Sequence, residues 1–315
     1  MAAKLIPDIY FTTETNAYQD ALHAVLMHKG WTSETKAALA GMTVCGFRFS
    51  VHRELLAESV SAYNWTVEHF LAVDFIGVSA SQRAGFNFQP TFPLYRDNAI
   101  SQIKASIDNN IGAIFWKDGF VVAAGYDDEQ EALFYVNGKS DELLALPYET
   151  FGQGDSPYWY YQTIEGCQAM DRAAVIKESF LQAIYKWDNH DLLLPERDYA
   201  CGKMAYAAIN DALTSGRYDL SGAGTILAYY AEAKRHIAEY FELPMSMFPF
   251  MHEASLHYRR VADLFMGIEQ LSCAQASALI PLVNEAAAEE DKAVQVLKRM
   301  VRETADNRFH DIGLR

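Results

Sequence analysis

An α+β fold is predicted, with a mixed N-terminal half and an almost purely helical C-terminal half. Three observations carry that expectation. First, three apolar runs follow one another closely: GAIFW (112–116), FVVAAGY (120–126) and ALFYV (132–136), separated by KDG and DDEQE. Runs of five to seven apolar residues bounded by turn chemistry read as consecutive antiparallel strands. Second, from about residue 171 onward the apolar residues recur at helical spacing. Third, half of the 315 residues are hydrophobic and 13% are aromatic, which excludes a disordered chain. That length predicts two domains. The shift in pattern near 165–172 puts the first at 1–168 and the second at 169–315.

Taken in order, TNAYQDALHAVLMHKG predicts an early helix, with Tyr18, Leu22, Val25 and Leu26 near helical spacing and Gly30 as its stop. GFRFSV (46–51) alternates as a strand does. QRAGFNFQPTFPLYRD (82–97) carries two prolines and a glycine and predicts a long surface loop. AISQIKASIDNN (99–110) is amphipathic and helical, and it leads into the three strands. LPYETFGQGDSPYWYYQTI (146–164) closes this half with turns and an aromatic run. Helices follow near 172–187, 199–214, 223–241, 250–271 and 273–305, with Ser221 as a cap and Pro244 and Pro249 as interruptions.

Composition narrows the function. Lys plus Arg number 26 against 41 Asp plus Glu, a formal charge of −15. Phosphate affinity needs clustered cations, so neither nucleic acid nor an anionic membrane is an expected partner. No stretch approaches a membrane span, and MAAKLIPDIYFTTETN lacks the pattern of a secretory signal. Cys45, Cys167, Cys201 and Cys273 are scattered without metal-site spacing, which predicts reduced thiols and a soluble cytoplasmic protein.

Several motifs have a plain explanation. HEASLH (252–257) resembles the H-E-x-x-H zinc motif, but its histidines are five apart. Five residues turn a helix by about 500°, leaving His252 and His257 about 140° apart and unable to share a metal. Glu232/His236 and Glu253/His257 are i,i+4 pairs, whereas di-iron helices use i,i+3, so no metal is expected. GAG at 222–224 opens a helix without a preceding strand, so a helix-entry role is expected over a phosphate loop. YWYYQ (158–162) suits a pocket wall or domain packing equally. No cofactor is indicated.

A helix beginning at TETNAYQDAL, followed far downstream by GFVVAAGYDDEQEALFYVNG, resembles the papain-like cysteine-protease fold. The resemblance is to the branch that holds C39-like peptidases, the acyltransferase of butirosin biosynthesis and transglutaminase-like amide-forming enzymes of natural-product pathways. YACGKMAYAAINDAL and HYRRVADLF are similar to the helical C-terminal regions of the same acyltransferase-like proteins. In such a fold a cysteine at a helix N-terminus is activated by the helix dipole, a histidine at a facing strand takes its proton, and an Asp or Asn orients that histidine.

The resemblance implies Ala17, after Asn16, at the nucleophile position, Phe120 at the histidine position and Asn137 at the orienting position. The implied activity is thiol-dependent acyl transfer from a thioester, such as one on an acyl-carrier protein, to a small amine acceptor. Alanine carries no nucleophile and phenylalanine no proton. Three readings of this departure stay open: a cysteine deliberately replaced at 17, a natural pseudoenzyme that binds through the same cleft, or Cys45 and His52 carrying the chemistry instead. His23 is expected to face away from residue 17. Arg259, Arg260 and Lys298 to Arg302 form the basic stretches through which an acidic carrier would dock.

Overall fold

The computed structural model describes residues 3–10, 12–14, 17–140, 142–243, 248, 251–271 and 273–304. Its first elements are β1 (Ala3–Leu5), α1 (Ala17–His28), α2 (Lys36–Met42), β2 (Ser50–His52), α3 (Trp65–Phe75), β3 (Val78–Phe86) and α4 (Phe92–Asp108). Next come β4 (Ala113–Trp116), β5 (Phe120–Asp127), β6 (Ala132–Val136), β7 (Leu144–Pro147) and β8 (Tyr158–Cys167). The remainder is α5 (Arg172–Asp188), β9 (Tyr199–Cys201), α6 (Lys203–Ser215), α7 (Leu220–Glu242), α8 (Met251–Glu269) and α9 (Ala276–Thr304). The protein is therefore of mixed α+β class with an antiparallel sheet. Among the described residues, no helix is long and apolar enough to cross a membrane.

The chain forms two compact units: Met1–Cys45 with Tyr63–Asp171, and Gly46–Ala62 with Arg172–Arg315. A short excursion of the N-terminal half thus belongs to the helical unit.

In the N-terminal unit the sheet order is β3-β8-β4-β5-β6-β7, every pairing antiparallel, with β1 beside the far end of β5. Adjacent residues of a strand face opposite sides. On β8, Trp159 packs on Phe92 and Tyr95 of α4, while Tyr160 packs on Trp65 of α3 and Phe120 of β5. Tyr18 of α1 meets Phe120 on the same side as Tyr160. Helix α4 therefore covers one face of the sheet, and α1 and α3 cover the other.

Two expectations need correction here. The stretch 82–97 is not a loop: it completes β3 and starts α4. Pro93 lies in the first turn of α4, where its missing N–H is no loss. Gly85 is strand, with Trp159 atoms 3.0 Å from where a Cβ would stand. Likewise 46–51 is only partly strand, since Cys45–Phe47 is a 3-10 turn ahead of β2.

The helical unit is built on α5 to α9, with β2 paired to β9. Its cap and entry also differ from expectation. Asp219, not Ser221, caps α7, accepting N–H groups of Ser221 and Gly222 at 3.2 and 3.0 Å. Gly222 is needed for close approach, because a Cβ there would stand 2.3 Å from the Leu55 carbonyl oxygen. The start of the predicted 199–214 helix is strand β9. Pro244 and Pro249 lie outside the described residues.

Phe49, from the excursion, sits among Tyr206, Tyr230 and Phe265, with ring centroids at 4.7, 4.5 and 6.3 Å. Lys234 Nζ lies 4.6 Å from the Phe49 ring centroid and 2.5 Å from Glu290 Oε1. Tyr206 donates to the other Glu290 oxygen at 2.5 Å. Both charged side chains are buried. Breaking a buried pair leaves a charge without compensation, whereas replacing both partners by apolar groups is often neutral. Glu290→Gln should lower stability in urea by about 3–5 kcal/mol, while the double change Lys234→Met/Glu290→Leu should recover most of that loss. Equal losses in the single and double variants would refute the pairing.

Candidate functional site

The N-terminus of α1 is fixed by a local network. Asp20, in the first turn, accepts the Glu14 N–H at 2.7 Å, and Lys36 lies 3.3 Å from Asp20 Oδ1. Lys36 also pairs with Glu14 at 2.8 Å and donates to the Thr12 carbonyl at 2.6 Å. Helix α2, which carries Lys36, is capped by Thr35, whose Oγ1 accepts from Ala38 N at 3.1 Å. The chain before α1 is thus pinned by charge and hydrogen bonds. Burial raises the Asp20 carboxyl above its ordinary range, with the Glu14 N–H and Lys36 opposing the shift.

Ala17 is the first residue of α1, and the next residue, Tyr18, is buried in the core. Phe120 opens β5 and is only 4% exposed. Its ring meets Tyr18, Trp65, His69, Trp116 and Tyr160, all with centroids between 5.0 and 5.6 Å. His69, from α3, stacks on Tyr18 at 3.4 Å with the planes 4° apart, and its Nε2 lies 3.0 Å from the Tyr63 hydroxyl. Tyr18 donates to Gln162 at 3.1 Å, Gln162 to Gln82 at 2.6 Å, and Gln82 to the Thr66 carbonyl at 2.5 Å. A polar chain therefore runs beside the aromatic nest, from α1 through β8 and β3 to α3.

Asn137 follows β6, one residue past the Val122–Val136 register pair, on the strand next to that of Phe120. Its Oδ1 accepts the N–H groups of Lys139 and Ser140 at 2.9 and 3.3 Å, an Asx turn. Its backbone, and that of Gly138, accept from Thr13 at 3.4 and 2.9 Å. The segment leading into α1, the head of β5 and the end of β6 therefore converge. Asn16 lies outside the described residues.

Of the remaining sequence candidates, Cys45 is buried in the core of the N-terminal unit near Tyr18, whereas His52 belongs to the helical unit. His23 Nε2 is hydrogen-bonded to the Glu34 carbonyl at 2.9 Å. On α8, Glu253 and His257 do not pair with each other: Glu253 meets Arg299, and His257 Nδ1 lies 2.7 Å from Glu289. His236 and Glu232 do stand together on α7, at 3.5 Å. The N–H groups of Ser221 and Gly222, which a phosphate would need, are taken by Asp219. The YWYYQ run is strand β8, whose Trp159, Tyr160, Tyr161 and Gln162 are core of the N-terminal unit.

No protein-family model matches the chain, and no curated protein matches it.

The titratable groups of the nest are the His69 imidazole and the Tyr18 and Tyr160 phenols. Burial, then the nearby Cys45 thiol, push the Tyr18 phenol well above its ordinary range. Burial does the same to Tyr160, reinforced by Tyr18 and Tyr63. Both phenols stay neutral at physiological pH and act as packing rings. The residues that sequence reasoning passed over are Trp65 and His69; Tyr18 entered only as a helix position and Tyr160 only within YWYYQ. Their signal was faint: His69 sits mid-run in WTVEHFLAVDF, and Tyr18 reads as one more apolar helix position.

An imidazole placed at 120 would enter an apolar nest that disfavours its charged form. Its folded-state pKa would fall below the unfolded value of about 6.5, so stability drops as pH falls through that value. Phe120→His should be less stable than Phe120→Leu by about 1–3 kcal/mol at pH 8, and the gap should widen toward pH 5.5 in thermal melts. A gap that stays constant or closes on acidification would mean that the position accommodates a cation.

Proposed function

We propose that the N-terminal unit is a papain-like scaffold whose catalytic stations have become packing positions, and that the protein works as a binding module. One observation carries this reading: Phe120, at the head of β5 where a histidine would stand, is buried among five rings. Asn137 supports it, because its side-chain oxygen is engaged with its own turn. A papain-like triad needs an orienting group aimed at an imidazole, and neither half of that contact is present here.

The rival reading is thiol-dependent acyl transfer through a cysteine at 17, from an acyl-carrier thioester to an amine. Its support is that residue 17 opens a helix, where a thiolate is stabilised by free N–H groups and the dipole. Against it, the same first turn holds the Asp20 carboxylate. The basic stretches proposed for carrier docking are also neutralised: Arg259 meets Glu242, Arg260 Glu285, Lys298 Asp188 and Arg299 Glu253.

Ala17→Cys separates the two. Its thiol should titrate at or above the unperturbed value of about 8.5, followed by the ultraviolet absorbance of the thiolate against the parent protein. A thiol pKa well below that value, with alkylation rates that track it, would return the acyl-transfer reading to the lead.

A further inference from the structure

Strand β3 ends the sheet. Its nine residues pair with β8 along one side, and among the described residues no strand lies along the other. Ser79, Ser81, Arg83 and Ala84 are exposed, and Phe86 is 42% exposed. Long edges are usually blunted by proline, lysine or brevity, because unpaired backbone groups recruit another chain. Here Arg83 is the one cation of the strand, and it holds no proline.

Beside this edge runs a groove of about 390 Å³, lined by Thr66, Val67, Phe70 and Leu71 of α3 and by Ala80 and Gln82 of β3. Val67, Phe70 and Leu71 are 49, 50 and 38% exposed, so α3 turns an apolar face outward as well as inward. At the far end of β3 an aromatic shelf continues the line. Phe88 packs on Phe86 at 5.1 Å, Phe86 on Tyr158 at 5.2 Å and Tyr158 on Trp65 at 5.8 Å. Trp65 in turn touches Phe120, so the shelf grows out of the nest itself.

We propose that the open edge of β3, with the α3 groove alongside and the aromatic shelf at its end, binds an extended basic peptide as an added strand. An edge offers alternating N–H and C=O groups, which only an extended backbone can match along its length. Alternate side chains of such a strand point to one face. Apolar residues at every second position would enter the groove and shelf, while the intervening ones face solvent. Charge selects among occupants. The chain carries −15, and Glu165 of β8, to which Ser81 donates, lies exposed on the face that those intervening residues share. A second copy would bring a further −15 to the contact, whereas Lys or Arg at the solvent-facing positions would be attracted. The inference deepens the binding-module reading and rests on it.

The test is a phage-displayed library of random peptides of about nine residues, the length of β3, selected on the intact protein. Enriched sequences should alternate apolar residues with Lys or Arg. Phe70→Asp and Leu71→Asp should each weaken the best synthetic peptide by about tenfold or more, with circular dichroism unchanged at these exposed positions. N-methylation decides whether the edge is used. Methylating alternate amides in one phase should abolish binding, while the opposite phase is tolerated. Any other pattern, or a failure to enrich, overturns the proposal. So does a concentration-dependent dimer in sedimentation that Phe70→Asp disperses, since that assigns the edge to a second copy. The Ala17→Cys titration does not depend on the peptide. An ordinary thiol without peptide binding therefore removes only the docking surface, and an activated thiol removes the module reading.

Discussion

Phe120 has no atom that can hold a proton, and the packing of its ring ties the N-terminal unit together. It joins α1 through Tyr18, α3 through Trp65 and His69, β4 through Trp116 and β8 through Tyr160. Edge-to-face contacts of this kind are worth about 0.5–1.5 kcal/mol each beyond the area they bury. Several at one ring make the position costly to change. The hydrogen-bond chain from Tyr18 through Gln162 and Gln82 to Thr66 reinforces the same connection. Its last two residues line the α3–β3 groove, so the core nest and the surface groove share a framework. Rigid support beneath a surface lowers the ordering cost of binding.

The helical unit has a comparable centre. Lys234, Glu290 and Tyr206 form one buried polar contact among α7, α9 and α6, and Lys234 also faces the Phe49 ring. A buried ion pair is weak evidence of net stability, because desolvation offsets most of the attraction. It does penalise alternatives: a register that separated Lys234 from Glu290 would bury two charges without partners. The Gly46–Ala62 excursion is held by the same kind of contact, with Tyr230 accepting the Ser50 N–H at 2.9 Å and donating to its carbonyl at 2.6 Å.

The parts of the fold that could be read from the chain are those where one periodicity dominates. Strands β4, β5 and β6 are apolar runs cut by turns, and α5, α7 and α8 carry clear helical stripes. The segment 82–97 misled because Gly85 and Pro93 have specific reasons to sit in regular elements, a close tryptophan and a first helical turn. Neither reason is visible without the partner strand or the helix start. The excursion of Gly46–Ala62 into the helical unit is equally silent, since membership depends on contacts with residues far along the chain. For the site, residue types were legible and environments only in part. The five rings around Phe120 are tertiary, whereas the Asx turn of Asn137 is local and lies within the turn signal NGKSD.

Helix α3 escaped detection for a reason that bears on function. Its inward residues are His69, Ala72 and Val73, while Val67, Phe70 and Leu71 look outward. A helix apolar on both sides has no stripe to find, so the periodicity signal is flat. Covering the sheet requires only the inward set. The outward set leaves apolar surface in water, at roughly 25 cal/mol per Å². Scattered exposed apolar side chains need no account, but these three line one groove beside a strand edge that no other strand pairs among the described residues. The same residues that blur the helix in the sequence thus give the edge its apolar neighbour. In the nest, by contrast, the apolar side chain of Phe120 is buried and completes a core. Apolar character at the head of β5 fills a core, and apolar character on the outside of α3 lines an open groove.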